Sequence, residues 1–498
     1  MPLLAGAAAL LAVPASAETL REALLKAYRT NPTITGQRAA LRATDEGVPI
    51  ARADGIPSIS ANGGLANNLV PSANTLASPQ RQATTNTQLT VPIYQGGAVR
   101  GAVRAARTRV EAGRATLRGT ESDLFTTTVG VYMDVIRDQA VVGLNRQNVH
   151  VLDVNLLASR DRFRVGELTR TDVSQSEARL ALARAQLDSA EAQLITSREN
   201  YIRIVGSPPV DLQPPPPLPP LPSAPRPAVD QALQDNPALL AAAKERDATR
   251  FDVAVARSGR LPKLSVVVGG NYYNYLGSLG SGTGVQVGQT GTSVTAGLAV
   301  TVPLFQGGRI SAQVRRAEAL RSQSIEAATG TERAVVAQTR SAYAEWRSSQ
   351  RVIASAEKAV DANTMSLKGV RAENSVGNRT ILDILNAEQE LLNSQVTLAT
   401  AGHDAYIAGF ALLAAMGRAE ARDLGLDAGP LYDPTVNYNR VRHRLSDYGD
   451  DGEPGRIATS TVATPEQDAT TPAMQDSILR TDVGAAAPET TSADAPMP

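Results

Sequence analysis

The side chains able to do chemistry are few and scattered. The chain has three histidines (His150, His403 and His443) and no cysteine. That set builds neither a metal centre, a disulfide nor a lipid anchor on a thiol. There is no His-Glu-x-x-His, no Gly-x-Ser-x-Gly and no phosphate loop ending in Gly-Lys-Ser/Thr. The glycines of 277–291 lack a phosphate loop's lysine and helix start, and read as a flexible hairpin tip. No enzyme, metal or cofactor is expected. Lys+Arg and Asp+Glu number 49 each, so the chain offers nucleic acid no basic face. What recurs at fixed spacing is Val165-Gly166, Thr169 and Asp172, matched 211 residues later by Val376-Gly377, Thr380 and Asp383. A carboxylate there would cap the N-terminus of a returning helix.

These motifs belong to a longer repeat. Asn31-Pro32-Thr33-Ile34 returns as Asn236-Pro237-Ala238-Leu239, and Ile56-Pro57-Ser58-Ile59-Ser60 as Leu261-Pro262-Lys263-Leu264-Ser265. Val91-Pro92-Ile93-Tyr94-Gln95-Gly96-Gly97 returns as Val302-Pro303-Leu304-Phe305-Gln306-Gly307-Gly308, and Gly206 as Gly417. The two copies are 18–207 and 228–425. Between them, 208–227 contains 11 prolines in 20 residues and reads as an extended, semi-rigid spacer. Residues 1–17 end in Ala15-Ser16-Ala17 after an apolar run and read as a signal peptide cut before Glu18, with a buried N-terminal helix as the alternative. The stretch 426–498 reads as low-complexity tail, largely disordered, from which Tyr432 to Arg444 could pack on the body.

Proline placement divides each copy. None occurs from Ile93 to Ser207 or from Leu304 to Gly429, and both stretches are rich in helix formers. The pattern predicts helices over about 18–52, 97–164, 167–206, 230–257, 309–375 and 378–417. The longest of these is roughly 100 Å at 1.5 Å per residue. In 309–375, Ile325, Thr339, Trp346, Ile353, Val360 and Leu367 keep one heptad register, interrupted by Glu332, and Ala328, Val335, Ala342 and Ala356 fill the other position. This predicts close coiled-coil packing, in a hollow ring or a filled rod. Ahead of the long helices, Val294, Ala296, Leu298, Val300 and Val302 alternate with small or polar residues. So do Leu264, Val266 and Val268, and more weakly Ile59, Ala61, Leu65, Leu89 and Val91. Each strand is about ten residues, long enough to cross a bilayer when tilted. Tyr94 and Phe305 suit an aromatic girdle, or else pack the strand-to-helix corner. Four strands cannot close a barrel in lipid, so subunits would have to share one: eight strands from two chains, twelve from three. No later stretch has about 18 uninterrupted apolar residues. Hydrophobic residues make up 42% of the chain but aromatics only 4%, which suits a thin-walled body better than a thick core.

On the repeated Asn-Pro, the paired Val-Pro-x-aromatic-Gln-Gly-Gly and Val376-Gly377-Asn378-Arg379-Thr380-Ile381-Leu382-Asp383, the chain resembles the TolC family of outer-membrane channel-tunnels over about 18–425. Glu18 to Pro57 is most similar to members serving type I secretion. The resemblance implies a homotrimer with a 12-stranded transmembrane β-barrel continued by a long α-helical coiled-coil barrel. It places the chain in outer-membrane lipid, with a periplasmic extension that docks an adaptor (membrane fusion) protein and an inner-membrane ABC or proton-driven transporter. The implied function is the exit duct of a tripartite export system for protein secretion, small-molecule efflux or both. The other reading is a soluble periplasmic coiled-coil adaptor or scaffold, which leaves the strands unexplained. Carried over by position, Val165-Gly166 and Val376-Gly377 lie at the periplasmic hairpin tips, and Arg379 would bond Thr171 and Asp172 to hold a gate closed. Asp383 would add one carboxylate per subunit to a ring in the passage. Asn374 stands where the family has a gate tyrosine and Asn386 where it has a second aspartate, which implies a looser gate and a weaker acidic ring.

Overall fold

Proline and glycine set many of the boundaries between elements. The computed structural model describes residues 17–70, 78–280, 284, 286–426, 431–449 and 451–471. The signal-peptide segment, apart from Ala17, lies outside the described residues. The first repeat comprises α1 (Leu20–Thr30), α2 (Pro32–Ala53), β1 (Ser58–Asn67), β2 (Arg81–Tyr94), α3 (Ala98–Arg164) and α4 (Arg170–Val205). The second runs α5 (Pro225–Asp235), α6 (Pro237–Ser258), β3 (Lys263–Asn274), β4 (Thr290–Thr301), α7 (Arg309–Ser375) and α8 (Ile381–Ala415).

The helix expected over 18–52 is two helices, and so is its counterpart over 230–257. The reason is the Asn-Pro landmark. Asn31 ends α1 and caps α2, its Oδ1 accepting from the Thr33 N–H at 2.8 Å, while Pro32 has no N–H to continue α1. Its Nδ2 donates to the Ile204 carbonyl at 2.8 Å, pinning the break to the end of α4. Asn236 does the same, accepting from Ala238 N–H at 3.0 Å and donating to Ala415 O at 2.9 Å. The repeated dipeptide therefore ties the start of each unit to its last helix.

The strands form one antiparallel sheet in the order β1-β2-β3-β4. Its register puts Ile59, Leu89, Val268 and Ala296 in one row and Val91, Val266 and Leu298 in the next. The row between them holds Ser58, Thr90, Val267 and Gly297, and the row beyond holds Ser60, Gln88, Gly269 and Thr295. One face of the sheet is thus apolar across all four strands. That face is not packed in the chain: Ile59, Leu65, Val294, Leu298 and Val300 are exposed. A bulge between Pro92 and Tyr94 ends the β2–β3 ladder as the chain turns into α3. Tyr94 and Phe305 are exposed, Phe305 at 89%, so neither packs the strand-to-helix corner within one chain. Gly96-Gly97 and Gly307-Gly308 make that corner with positive φ (63° and 83°, 58° and 80°).

The main core among the described residues is a node at mid-height. It gathers Tyr28, Phe125, Tyr132, Tyr201, Tyr343, Trp346, Tyr406 and Phe410 with the aliphatics of α1, α3, α4 and α8. Eight of the chain's 18 aromatic residues, the single tryptophan among them, are spent there. The proline-rich spacer crosses this node, and α5 already begins at Pro225 within it. Prolines offer carbonyls but no N–H groups, and three buried tyrosines answer them. Tyr132 Oη donates to Gln213 O at 2.7 Å, Tyr406 Oη to Pro216 O at 3.0 Å and Tyr343 Oη to Ser223 O at 2.6 Å. Burial pushes the Tyr132 and Tyr406 phenols up, so they remain donors.

In the C-terminal stretch, the segment from Tyr432 to Arg444 packs on the body, as its sequence allowed. Residues 431–449 and 451–471 run back along the first repeat, with a short helix α9 (Val436–Val441) against α2. Two tyrosines supply what the low apolar content could not: the Arg38 guanidinium sits between the Tyr28 and Tyr432 rings (4.3 and 4.9 Å), and Arg114 lies 5.1 Å from the Tyr438 ring. Asn437 Nδ2 donates to the buried Asp45 at 2.8 Å.

Candidate functional site: the paired hairpin tips

Both long hairpins turn by the same local code. The α3 C-terminus closes with Gly166 at φ 83°, its N–H reaching Phe163 O at 3.0 Å while Glu167 N–H reaches Arg162 O at 2.9 Å. Gly377, also at φ 83°, and Asn378 repeat this with Asn374 O and Glu373 O, both at 3.0 Å. This is the Schellman stop, which needs a residue free of a β-carbon penalty at the left-handed position. Three residues later a threonine restarts the helix. Thr169 and Asp172 form a reciprocal capping box, with Thr169 N–H to Asp172 Oδ2 at 2.9 Å and Asp172 N–H to Thr169 Oγ1 at 3.3 Å. Thr380 and Asp383 match it at 2.9 and 3.3 Å. The Thr169 hydroxyl and N–H hold the Asp172 carboxyl below its usual range, and the Thr380 backbone and hydroxyl do the same for Asp383. Val165 and Val376 are exposed at the two tips.

The bond expected from Arg379 to Thr171 and Asp172 is not formed within the chain. Arg379 Nε instead donates to Glu373 Oε2 at 2.8 Å in its own hairpin, because the 374–379 turn folds the side chain back onto α7. Asn374 closes the same turn, donating from Nδ2 to Arg379 O at 2.7 Å. The hairpins are joined higher up, by residues the sequence reading missed. Glu388 on α8 is only 6% exposed; it accepts from Asn155 Nδ2 on α3 (3.0 and 2.9 Å) and from Arg371 Nη2 on α7 (2.9 Å). A second link runs from Arg179 Nη2 on α4 to Asn386 Oδ1 on α8 at 2.7 Å. Leu385 packs between them, against Leu152, Leu156, Leu180 and Ala183 of the first hairpin. A signal for this latch exists in the sequence: Leu385, Glu388 and Leu392 share one helix face, so Glu388 is a carboxylate set into an apolar stripe. These tip clusters are small and separate from the mid-height core. By length and composition α8 could cross a membrane, but 61% of its apolar window is buried inside the structure.

An open-edged sheet with one bare apolar face, carried on helices roughly 100 Å long, defines a membrane-anchored helical duct. The chain belongs to the outer membrane efflux protein family, whose pattern matches residues 23–207 and 228–418. It is 31% identical over 430 residues to the outer membrane efflux protein BepC of Brucella suis biovar 1, covering 86% of this chain and 92% of BepC. It is 28% identical over 305 residues to the alkaline protease secretion protein AprF of Pseudomonas aeruginosa, covering 59% and 61% of the two chains. Among solved structures, the Campylobacter jejuni CmeC outer membrane channel superposes with a TM-score of 0.70 at 15% identity, over 86% of this chain and 90% of that one. The Vibrio cholerae outer membrane protein VceC gives 0.66 at 21% identity, over 80% and 96%. At these identities the superpositions establish the fold. The protein is an outer-membrane channel-tunnel that serves as the exit duct of an export system.

Proposed function

We propose that three copies of the chain close one 12-stranded barrel and one α-helical tunnel, and that the hairpin tips gate its periplasmic end. The observation that carries this reading is the unsatisfied boundary of the chain. β1 and β4 each present an unpaired edge, and α7 carries an exposed face along most of its length. In lipid each unpaired backbone group costs several kcal/mol, so β4 of one copy must pair β1 of the next. Tyr94 and Phe305 then belong to the interfacial aromatic belt at one rim.

Within each subunit the gate is held by the Glu388 latch and the Arg179–Asn386 link, with the capped Asp172 and Asp383 turns below them. Opening requires the second hairpin to swing from the first, which strips Glu388 of Asn155. Thr171 and Asp172 on one tip and the Arg379–Glu373 pair on the other are polar groups near the mouth. Asp383, kept ionised by its cap, adds a carboxylate per copy and makes the passage prefer cations. Asn386 contributes a neutral link where an acid would add charge. The periplasmic tips dock an adaptor protein, and through it an inner-membrane transporter of ABC or proton-driven type. The relatives named for efflux and for protease secretion support both kinds of cargo.

Single-channel recording tests the gate. Glu388→Ala leaves Arg371 and Asn155 without their acceptor and raises conductance or open probability from the tip side several-fold. Unchanged conductance in an assembled Glu388→Ala channel rejects the latch and leaves the duct intact.

A further inference from the structure

Arg198 on α4 is 9% exposed, yet its hydrogen bonds go to the C-terminal strap, not to the helices around it. Nη1 donates to the Asp468 carbonyl and, at 3.0 Å, to its carboxylate; Nη2 donates to the Thr470 carbonyl. Arg146 on α3 stands beside it. Braced by Glu191 at 2.7 Å, it donates to the Ala469 carbonyl at 2.9 Å and to Thr471 Oγ1 at 2.8 Å. Three successive backbone carbonyls and one side-chain carboxylate are thus read by two guanidinium forks. Backbone carbonyls are common to every peptide, so the clamp recognises extended conformation and a leading acid rather than a particular sequence. The strap complements it in charge: residues 451–471 hold four acids (Asp451, Glu453, Glu466 and Asp468) and one base, Arg456.

A buried guanidinium with no acceptor on its own scaffold is costly and is kept where something must be held. Burial lowers the Arg198 guanidinium from its usual range, and Arg146 beside it adds to this. Above the clamp the strap is lightly seated. Thr459 touches the Gly206 corner, and most of 451–464 is exposed. The clamp is therefore the strap's main polar attachment on the α3–α4 face.

We propose that the α3–α4 face around Arg146 and Arg198 is a docking site for an extended acidic peptide, occupied in cis by Asp468–Thr471. The strap is then a releasable guard: a partner bringing such a peptide to this face must displace it. This proposal is independent of the proposed gate: Arg198 lies 26 residues along α4 from Asp172, roughly 40 Å from the tip.

The test uses the full-length chain. Asp468→Lys lies on the exposed strap, leaves the body's fold untouched and sets a cation against the clamp. Loss of a charge-assisted bond corresponds to roughly ten- to a hundredfold, so hydrogen exchange over 457–471 should quicken by about tenfold or more in D468K and in Arg198→Gln, with exchange in α3 and α4 unchanged in D468K. A fluorescent nonapeptide of residues 463–471 at millimolar concentration should bind D468K, bind wild type far more weakly, and fail to bind D468K that also carries R198Q. Unaltered exchange in D468K overturns the clamp. No peptide binding to the released strap variant, or equal binding with and without Arg198, overturns the docking site.

Discussion

The helices α3 and α7 are copies of one element, each 67 residues long, yet they live in different surroundings. In α3, 25 residues are buried; in α7, nine. α3 is flanked by α2, α4, α6 and α8, so its own chain encloses it. α7 packs against α5, α6 and α8 and leaves the rest of its length open, with Leu320, Ile325, Val352 and Met365 exposed. The heptad residues Ala328, Val335, Thr339, Ala342, Trp346, Ala356 and Leu367 are buried against partners in the same chain. The difference teaches that duplication supplied two equal walls and that position made one interior and the other an edge. What α7 lacks, a second copy of the chain can supply.

The largest expected effect tests the sheet edge. Leu298→Arg puts a cation on the apolar face of β4 and costs about 2–4 kcal/mol per subunit near the bilayer midplane. Counted over each copy in a ring, it should abolish inserted oligomer in membrane fractions while the soluble helical signal survives. Normal insertion would mean that this face does not meet lipid.

Next come two equivalent core positions. Trp346 on α7 and Val135 on α3 lie 211 residues apart and both join the mid-height core. Trp346→Ala should lower stability by about 3–5 kcal/mol, and Val135→Ala by about 2 kcal/mol from the lost methyl groups. Denaturant midpoints of the detergent-solubilised protein check this. Equal losses would show that Trp346 is not the anchor by which α7 holds the core.

The tips should show the smallest and most symmetric effects. Thr169→Ala and Thr380→Ala each remove one capping box and should each cost about 1 kcal/mol, read as faster tip hydrogen exchange. The pH dependence follows the same groups. Asp172 and Asp383 titrate below their usual value of 3.8. Their stabilising effect is thus complete above that pH and is lost as pH falls through their lowered values. Tip exchange should follow only the intrinsic rate from pH 8 to 5 and show added loosening below about 3.8. Loosening near neutral pH would place control in other groups.

Much of this was legible in the residues. The strands, the hairpins, the tip motifs and the heptads of α7 follow from local periodicity and from glycine and proline, which act on their own segment. The Asn-Pro breaks were missed because helix formers on both sides mask a single-residue interruption; the cap geometry of Asn31 and Asn236 decides it. Tyr432 to Arg444 were legible as a segment that could pack on the body, whereas the seat of Asp468 was missed because it is anchored by Arg198, 270 residues away. The hairpin tips were legible as turns and caps, but the bonds that join the two hairpins were not. Asp172 and Asp383 follow from local capping, whereas Glu388, Asn155 and Arg371 come together only once four helices are packed.

The central claim is that the open wall of the second repeat is closed by further copies of the same chain. Native mass spectrometry of the protein extracted from outer membranes in mild detergent tests it most directly. The account predicts a species at three times the mature chain mass, with Leu298→Arg shifting it to monomer. A wild-type protein that is monomeric under the same conditions would contradict it.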